Sequence, residues 1–171
     1  MPSPSPLNAL IVEDNVLFRH SFKAFLLERY PFLRIAEAGD AVEATTEIEA
    51  RVPDLIFMDI LLPGTSGIQL TKEIKARHPK VKIVAMTSHG DPEYRAQALA
   101  SNADAFFLKE TLGGEEFGTV IESISTEMGL ASQGLRAKGV PGASPSDQPE
   151  AQKDEEEVEG QGLTKLEVEF A

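Results

Sequence analysis

The sequence predicts an α/β domain built on a parallel sheet and followed by a polar, acidic segment. Short apolar runs without polar alternation recur along residues 7–128, a pattern typical of strands buried on both faces. Segments with apolar residues at helical spacing separate these runs, which gives five β/α units in succession. After Gly129 the composition changes to Gly, Pro, Ser, Gln and Glu.

The five predicted strands are apolar runs of about four to six residues. They cover residues 9–12, 33–36, 55–58, 82–86 and 105–108. Parallel strands are joined by right-handed crossovers, so a doubly wound five-stranded parallel sheet is expected. One of the two common strand orders of such sheets is 2-1-3-4-5, and we adopt it as the prediction.

The segments between the strands carry helix signals. In the first of them, Phe18, Phe22, Phe25 and Leu26 recur at helical spacing, and a proline at position 31 ends the helix. Polar caps or acidic first turns mark where the helices begin. The predicted starts are Asn15, Asp40, Ser66 or Gly67, Asp91 and Glu115.

The chain therefore divides into three predicted parts. Residues 1–6 form a flexible N-terminal arm, residues 7–129 form the folded domain, and residues 130–171 form a disordered acidic tail without an output domain. Residues 131–171 hold four basic and nine acidic side chains, and such a segment buries too little apolar surface to fold.

Composition excludes several functional classes. The net charge of −12 argues against direct nucleic-acid binding, which favours a basic surface. The absence of cysteine excludes disulfides and thiolate metal sites. The N-terminus is not typical of a secretion signal, and no apolar stretch approaches the ~20 residues of a membrane span. A cytoplasmic location without membrane contact is the expectation.

Carboxylates follow two strands that are neighbours in the predicted order. Glu13 and Asp14 come directly after strand 1, and strand 3 ends at Asp59. Sites in doubly wound sheets form beyond the carboxyl ends of the strands where the strand order reverses, so these three acids are expected to meet. Clustered carboxylates raise one another's pKa, and Mg²⁺, which prefers oxygen ligands, would relieve their repulsion.

Two more polar groups follow the remaining strands. Thr87 closes strand 4 and Lys109 comes directly after strand 5. A hydroxyl and an ammonium are suited to holding phosphoryl oxygens. The set predicts a phosphoryl-transfer site in which Asp59 is the nucleophile.

Four stretches of the sequence resemble the receiver domain of two-component response regulators. They are LIVEDN, LIFMDILLPGTSG, IVAMTSHGD and NADAFFLKE, in that order and at receiver-like spacing. Each motif alone is weak, but the ordered set is highly specific and covers residues 7–128. The resemblance implies the flavodoxin-like fold of the chemotaxis regulators.

The resemblance also implies a function. Receiver domains accept a phosphoryl group from the phosphohistidine of a sensor histidine kinase or phosphotransfer protein, which makes Asp59 the expected acceptor. Mg²⁺ would be bound by Asp14, Asp59 and the backbone carbonyl of Leu61, with Glu13 contributing through water. Such a protein is a signalling module that catalyses only its own phosphorylation and dephosphorylation.

The same resemblance assigns a switch. Thr87 and Lys109 would contact the acyl phosphate, and Phe106 would turn inward when Thr87 moves toward it. The face of helix 4, strand 5 and helix 5 would then change, and a downstream protein would read the change. The sequence does not decide whether the protein also forms a homodimer through this face.

Two departures from the common receiver pattern bear on the output. Glu110 stands where many receivers have proline, and the Lys-acid pair, like His89, is familiar from receivers joined to helix-turn-helix domains. No basic domain follows here, so the chain resembles a stand-alone receiver of that subtype.

Other interpretations remain to be weighed. An aspartyl-phosphate hydrolase would carry a second acid at position 61, which is leucine. A flavin-binding protein would need a phosphate loop after strand 1, where Glu13 and Asp14 would repel the phosphate. A pseudo-receiver used only for docking would not need the complete set of acids, hydroxyl and lysine. Asp59 as a helix cap is a further alternative, and His20, His78 and His89 are expected to be exposed because they lack metal-ligand spacing.

Overall fold

The computed structural model describes residues 6–128, which form a parallel sheet with helices on both faces. The strands are β1 (Leu7–Val12), β2 (Leu33–Ala38), β3 (Leu55–Asp59), β4 (Lys82–Thr87) and β5 (Ala105–Leu108). The helices are α1 (Val16–Arg29), α2 (Ala41–Ala50), α3 (Gly67–Arg77), α4 (Pro92–Ala100) and α5 (Glu115–Glu127). Apart from Pro6, the predicted N-terminal arm and the predicted acidic tail lie outside the described residues.

The strand order is β2-β1-β3-β4-β5, as predicted, and every neighbouring pair is parallel. The register keeps the carboxyl ends of the inner strands level, because Val12 pairs with Met58 and Asp59 pairs with Met86. Thr87 pairs with Leu108 at the end of β5. The residues that follow β1, β3, β4 and β5 therefore emerge at one edge of the sheet.

Strand β3 packs against helices on both of its faces. Phe57 points to one face, where its ring lies 5.2 Å from that of Phe22 in α1 and 6.0 Å from that of Phe117 in α5. Ile56 and Met58 point to the other face. They belong to a buried cluster whose helical members come from α2 and α3, namely Ala44, Ile48, Leu70 and Ile74.

The prediction of burial on both faces is correct for β1, β3 and β4 but wrong for the edge strands. Arg34 in β2 is exposed and its three successors are half-buried, and three of the four residues of β5 are half-buried. Edge strands have a neighbouring strand on one side only, so the side chains of an apolar run there are partly exposed to solvent. The predicted runs of β1 and β2 are two residues short and that of β5 is exact, while Asp59 and Thr87 end β3 and β4 as predicted.

Side-chain caps set where four of the helices begin, as the sequence predicted. The cap oxygens accept from backbone N–H groups of the first turn at 2.8–3.1 Å, and the caps are Asn15, Asp40, Ser66 and Asp91. Of the two predicted starts of α3, Ser66 is the cap and Gly67 is the first helical residue. Within residues 6–128, none of the helices combines the length and the apolar character needed to cross a bilayer.

Candidate functional site

Three carboxylates meet at the carboxyl edge of the sheet. Glu13 and Asp14 follow β1, Asp59 ends β3, and each offers an oxygen that lies within 4.8 Å of the other two. Their burial differs, because Glu13 and Asp59 are 0% and 4% exposed whereas Asp14 is exposed. The structure therefore brings the predicted acids together, with Asp14 on the solvent side.

Lys109 is the cation of this group. Its Nζ lies 2.7 Å from Glu13 Oε1 and 3.3 Å from Asp59 Oδ2, so that it bridges the two buried acids. A 3₁₀ turn over Lys109–Thr111, which the sequence did not predict, turns the chain at the end of β5 and directs this lysine to the acids. Burial lowers the pKa of Lys109, but the hydrogen bond to Glu13 and the charges of Asp59 and Glu13 outweigh it, and the net shift is upward.

Glu13 is fixed by several groups around it. Its carboxylate accepts the N–H of Asn15 at 3.0 Å, and its carbonyl accepts Nη1 of Arg19 at 2.6 Å. Its own N–H donates to Ala38 of β2 at 2.9 Å. Burial raises the pKa of Glu13, and the neighbouring charge of Asp59 adds to the rise, while Lys109 and the N–H of Asn15 oppose it.

Asp59 is held by the loop that follows β3. Its Oδ1 accepts the N–H of Leu61 at 2.9 Å, and the N–H of Gly67 donates to the carbonyl of Ile60 at 3.0 Å. Gly67 is required here, because a Cβ at this position would collide with the carbonyl oxygen of Asp59. Asp59 is not a helix cap, since α3 begins after Ser66.

The predicted switch residues belong to the two strands beyond β3, since Thr87 ends β4 and Phe106 lies in β5. Thr87 is fully buried, and its Oγ1 accepts the N–H of His89 at 3.1 Å. Phe106 is half-buried against a small cluster that contains Ile60 and Ala98. Leu61 is 37% exposed beside Asp59, so an apolar side chain occupies the position where a hydrolase would present its second acid.

The arrangement suits a hard cation. In the part of the chain that the structure describes, the group consists of three carboxylates and Lys109, which leaves a formal charge of −2 when all four are ionised. Oxygen ligands at this separation, with Asp14 on the solvent side, match the preference of Mg²⁺ for a few carboxylates and several waters. The acidic group can therefore hold a metal ion at the edge of the sheet.

Several neighbours of the site were missed by the sequence analysis. Phe18 was assigned only to the apolar face of α1, yet its ring lies against Lys109. Arg19 gave no signal, although it binds the carbonyl of Glu13 and the side chain of Glu37 at 2.8 Å. The expectation of exposed histidines holds for His20 and His89 but is wrong for His78, which is half-buried at the C-terminus of α3.

Comparison with known proteins agrees with this geometry. The sequence profile of the response regulator receiver domain matches residues 9–117. The transcriptional regulatory protein DegU of Brevibacillus brevis is 32% identical over 104 residues, which are 61% of this chain and 44% of DegU.

Solved structures give the same class. A two-component response regulator of the LuxR family from Aurantimonas sp. SI85-9A1 superposes with a TM-score of 0.64 at 26% identity, over 71% of this chain and 87% of that one. A CheY-like receiver domain protein from Methanospirillum hungatei JF-1 shares the fold, with a TM-score of 0.65 at 24% identity over 72% and 98% of the two chains.

The fold and the site thus define a signalling receiver module. The chain belongs to the response regulator receiver domain family. It spans about half the length of the curated relatives it matches, because the aligned residues make up 44–51% of the first seven of them.

Proposed function

We propose that this protein is the phosphoacceptor of a two-component phosphorelay and that Asp59 receives the phosphoryl group. The observation that carries the proposal is the setting of Asp59 at the end of β3. It is buried, one of its oxygens accepts the N–H of Leu61, and the other lies 3.3 Å from Nζ of Lys109. A carboxylate with fixed donors on both oxygens is oriented for nucleophilic attack.

The donor is the phosphohistidine of a sensor histidine kinase or a phosphotransfer protein. A carboxylate oxygen of Asp59 attacks the phosphorus, and the P–N bond to the donor histidine breaks. The electron pair of that bond stays on the imidazole, which takes up a proton, and an acyl phosphate remains on Asp59. Lys109 exchanges a carboxylate partner for a phosphoryl oxygen, and Thr87 donates a hydrogen bond to another.

Mg²⁺ belongs to the proposal as the cofactor. Asp14, Asp59 and the backbone carbonyl of Leu61 would bind it, and Glu13 would contribute through water. When bound, the ion neutralises negative charge on the phosphoryl oxygens and on the clustered acids. The full burial of Glu13 behind its contact with Lys109 supports an outer role for this acid, and the exposure of Asp14 supports a direct one.

The output is a change of surface that another protein reads. In this proposal the phosphoryl group draws the hydroxyl of Thr87 toward it, and Phe106, which is half-buried against Ile60 and Ala98, moves further inward. The face formed by α4, β5 and α5 then presents a different shape to a downstream protein partner or to a second copy of the chain. Leu99 of α4 is an apolar side chain that is 37% exposed. Direct nucleic-acid binding and membrane contact are not part of the proposal, and the cytoplasmic location stays a prediction.

The test is labelling of the full chain by acetyl phosphate, followed by peptide mapping of the labelled residue. We expect incorporation on Asp59 that requires Mg²⁺ and is lost when a chelator is added. Asp59→Asn keeps the size and hydrogen-bonding capacity of the side chain but removes the nucleophile, so this variant should incorporate no label.

The matched control is Asp54→Asn at the opposite end of the same strand. Asp54 accepts the N–H of Asn8 at 2.9 Å and lies far from the carboxylate group, so its replacement should leave labelling unchanged. Equal labelling of Asp59→Asn and the wild type would overturn the assignment of the acceptor.

A further inference from the structure

The ammonium of Lys109 is in contact with an aromatic ring as well as with two acids. Its Nζ lies 4.6 Å from the centroid of the Phe18 ring, in addition to its contacts with Glu13 and Asp59. A cation within about 6 Å of an aromatic centroid is attracted by the negative face of the ring. The lysine side chain is 15% exposed, so little water competes for its charge.

The Phe18 ring is itself held in place by the core. The backbone N–H of Phe18 donates to the cap oxygen of Asn15 at 2.9 Å, which fixes the first turn of α1. The ring stacks on Phe22 with centroids 5.5 Å apart and an interplanar angle of 21°. Phe22 in turn meets the fully buried Phe57 edge-on at 5.2 Å. The ring is therefore a fixed surface rather than a side chain that adapts to the lysine.

We propose that Phe18 is a positioning residue for Lys109 in phosphoryl transfer. The inference rests on the proposed function, in which Lys109 leaves a carboxylate partner to meet a phosphoryl oxygen. The contact with the ring does not involve either carboxylate, so it persists through that exchange. It restricts the flexible lysine chain and keeps water from one side of the ammonium, which strengthens the attraction to the incoming phosphoryl group.

The first experiment compares substitutions at Phe18 in the full chain. Phe18→Leu keeps an apolar side chain but removes the aromatic face, and Phe18→Tyr keeps the face. With acetyl phosphate and saturating Mg²⁺, we expect Phe18→Leu to be phosphorylated about fivefold more slowly than wild type, and Phe18→Tyr to recover most of the rate. Phe18→Met provides a second variant without a ring if the leucine variant folds poorly.

The matched control is Phe25→Leu. Phe25 is also half-buried on α1 and also contacts Phe22, with centroids 6.4 Å apart. Its replacement removes a ring of the same helix, and the phosphorylation rate should stay at the wild-type value. A rate that falls equally in Phe18→Leu and Phe25→Leu would show that the loss of packing is responsible, and this would overturn the proposal.

A double-mutant cycle with Lys109→Met shows whether Phe18 acts through the ammonium of Lys109 or only through packing of the domain. If the ring acts through the lysine, Phe18→Leu causes no further slowing once Lys109 has been replaced. Equal slowing in both backgrounds would contradict the inference. Labelling that does not depend on Asp59 at all would instead remove the proposed function, and the inference with it, so the two failures are distinguishable.

A spectroscopic readout tests the contact without any turnover. Because Nζ of Lys109 lies 4.6 Å from the centroid of the Phe18 ring, we expect the ring current to shift the neighbouring lysine proton resonances in the NMR spectrum of the unphosphorylated protein. We expect these resonances to move to ordinary lysine positions in Phe18→Leu and to stay shifted in Phe18→Tyr and Phe25→Leu. Unchanged lysine resonances in Phe18→Leu would overturn the proposal.

Discussion

Both ends of the sheet carry clustered charges, but only one end balances them. At the amino end, Lys75 and Lys82 face Asp104 and Glu127, with contacts of 2.9 Å between Lys75 and Asp104 and 2.7 Å between Lys82 and Glu127. At the carboxyl end, within residues 6–128, Lys109 is the cation that pairs with carboxylates of the three acids of the candidate site.

The difference separates a structural cluster from a binding site. Asp104 also accepts the backbone N–H of Ile83 at 2.8 Å, and Lys75 donates to the carbonyl of Val81 at 2.8 Å, so the amino-end groups satisfy one another and the backbone. The carboxyl-end acids keep an excess of negative charge next to solvent. Substitutions at the amino end should therefore affect stability alone, and those at the carboxyl end should also affect phosphorylation.

The largest effect is expected for Gly67→Ala at the carboxyl end. A Cβ at Gly67 would lie 2.6 Å from Cα of Ile60 and closer still to the carbonyl oxygen of Asp59, and these backbone atoms cannot yield without moving the end of β3. We expect a loss of about 3 kcal/mol in the free energy of unfolding in urea, since such overpacking strains the backbone. Labelling by acetyl phosphate should fall with it because Asp59 is displaced.

Gly64→Ala is the control in the same loop. Gly64 has φ of +77°, but a Cβ there would meet nothing within 4 Å. The backbone conformation alone should therefore cost about 1 kcal/mol, and Asp59 should keep its position and its labelling. Similar small losses in both glycine variants would contradict the close approach described at Gly67.

Asp104→Asn tests the amino end. The side chain of Lys75 is 11% exposed, so loss of its anionic partner leaves a largely buried ammonium. We expect the free energy of unfolding to fall by about 1–3 kcal/mol, while phosphorylation of Asp59 stays at the wild-type rate. Glu127→Gln, where the side chain is 55% exposed, should cost less than about 1 kcal/mol. Slower labelling of Asp104→Asn would show that the two ends are coupled.

The smallest effect concerns Glu37, which accepts Nε of Arg19 at 2.8 Å and Nζ of Lys23 at 2.9 Å. Partial burial raises the pKa of Glu37, but the hydrogen bonds from Lys23 and Arg19 outweigh it, and the pKa lies below its usual 4.5. A folded-state pKa that is lowered contributes stability above the unfolded pKa, and this contribution is lost as the pH falls through the folded value.

The wild type should therefore be more stable than Glu37→Gln at neutral pH, and the difference should shrink in unfolding curves recorded at progressively lower pH below 4.5. A constant difference over this range would mean that the charge of Glu37 does not matter. The measurement sharpens the comparison between the two ends of the sheet. If the charge of Glu37 is balanced by Arg19 and Lys23, the excess negative charge of the carboxyl end belongs to the acids that follow β1 and β3.

Much of the fold follows from local patterns in the sequence. Apolar runs give the strands, caps such as Asn15 and Asp40 give the helix starts, and the right-handed crossover rule limits the strand order. The meeting of Glu13 and Asp59 follows from that order, because each ends a strand at the same edge. Their assignment to phosphoryl transfer stays a proposal.

The rest depends on contacts that no local pattern encodes. Whether Glu13 or its neighbour Asp14 turns inward is decided by the turn after β1 and by the lysine that follows β5. The ring of Phe18 meets Lys109 across a long separation in the chain, and the helical period marks Phe18 only as apolar. Gly67 is a first helical residue by its sequence context, and only the path of the chain after β3 explains why it carries no side chain.

The central claim is that the carboxyl end of the sheet is short of positive charge and binds Mg²⁺, and thermal unfolding tests it most directly. A bound cation raises Tm by mass action. After removal of metal by a chelator, Mg²⁺ should raise the Tm of the wild type and of Asp104→Asn equally, and that of Asp14→Asn far less. Without Mg²⁺, Asp14→Asn should unfold at a higher temperature than the wild type, because one of the repelling charges is gone. An equal Mg²⁺-dependent rise in Asp14→Asn and the wild type would contradict the account.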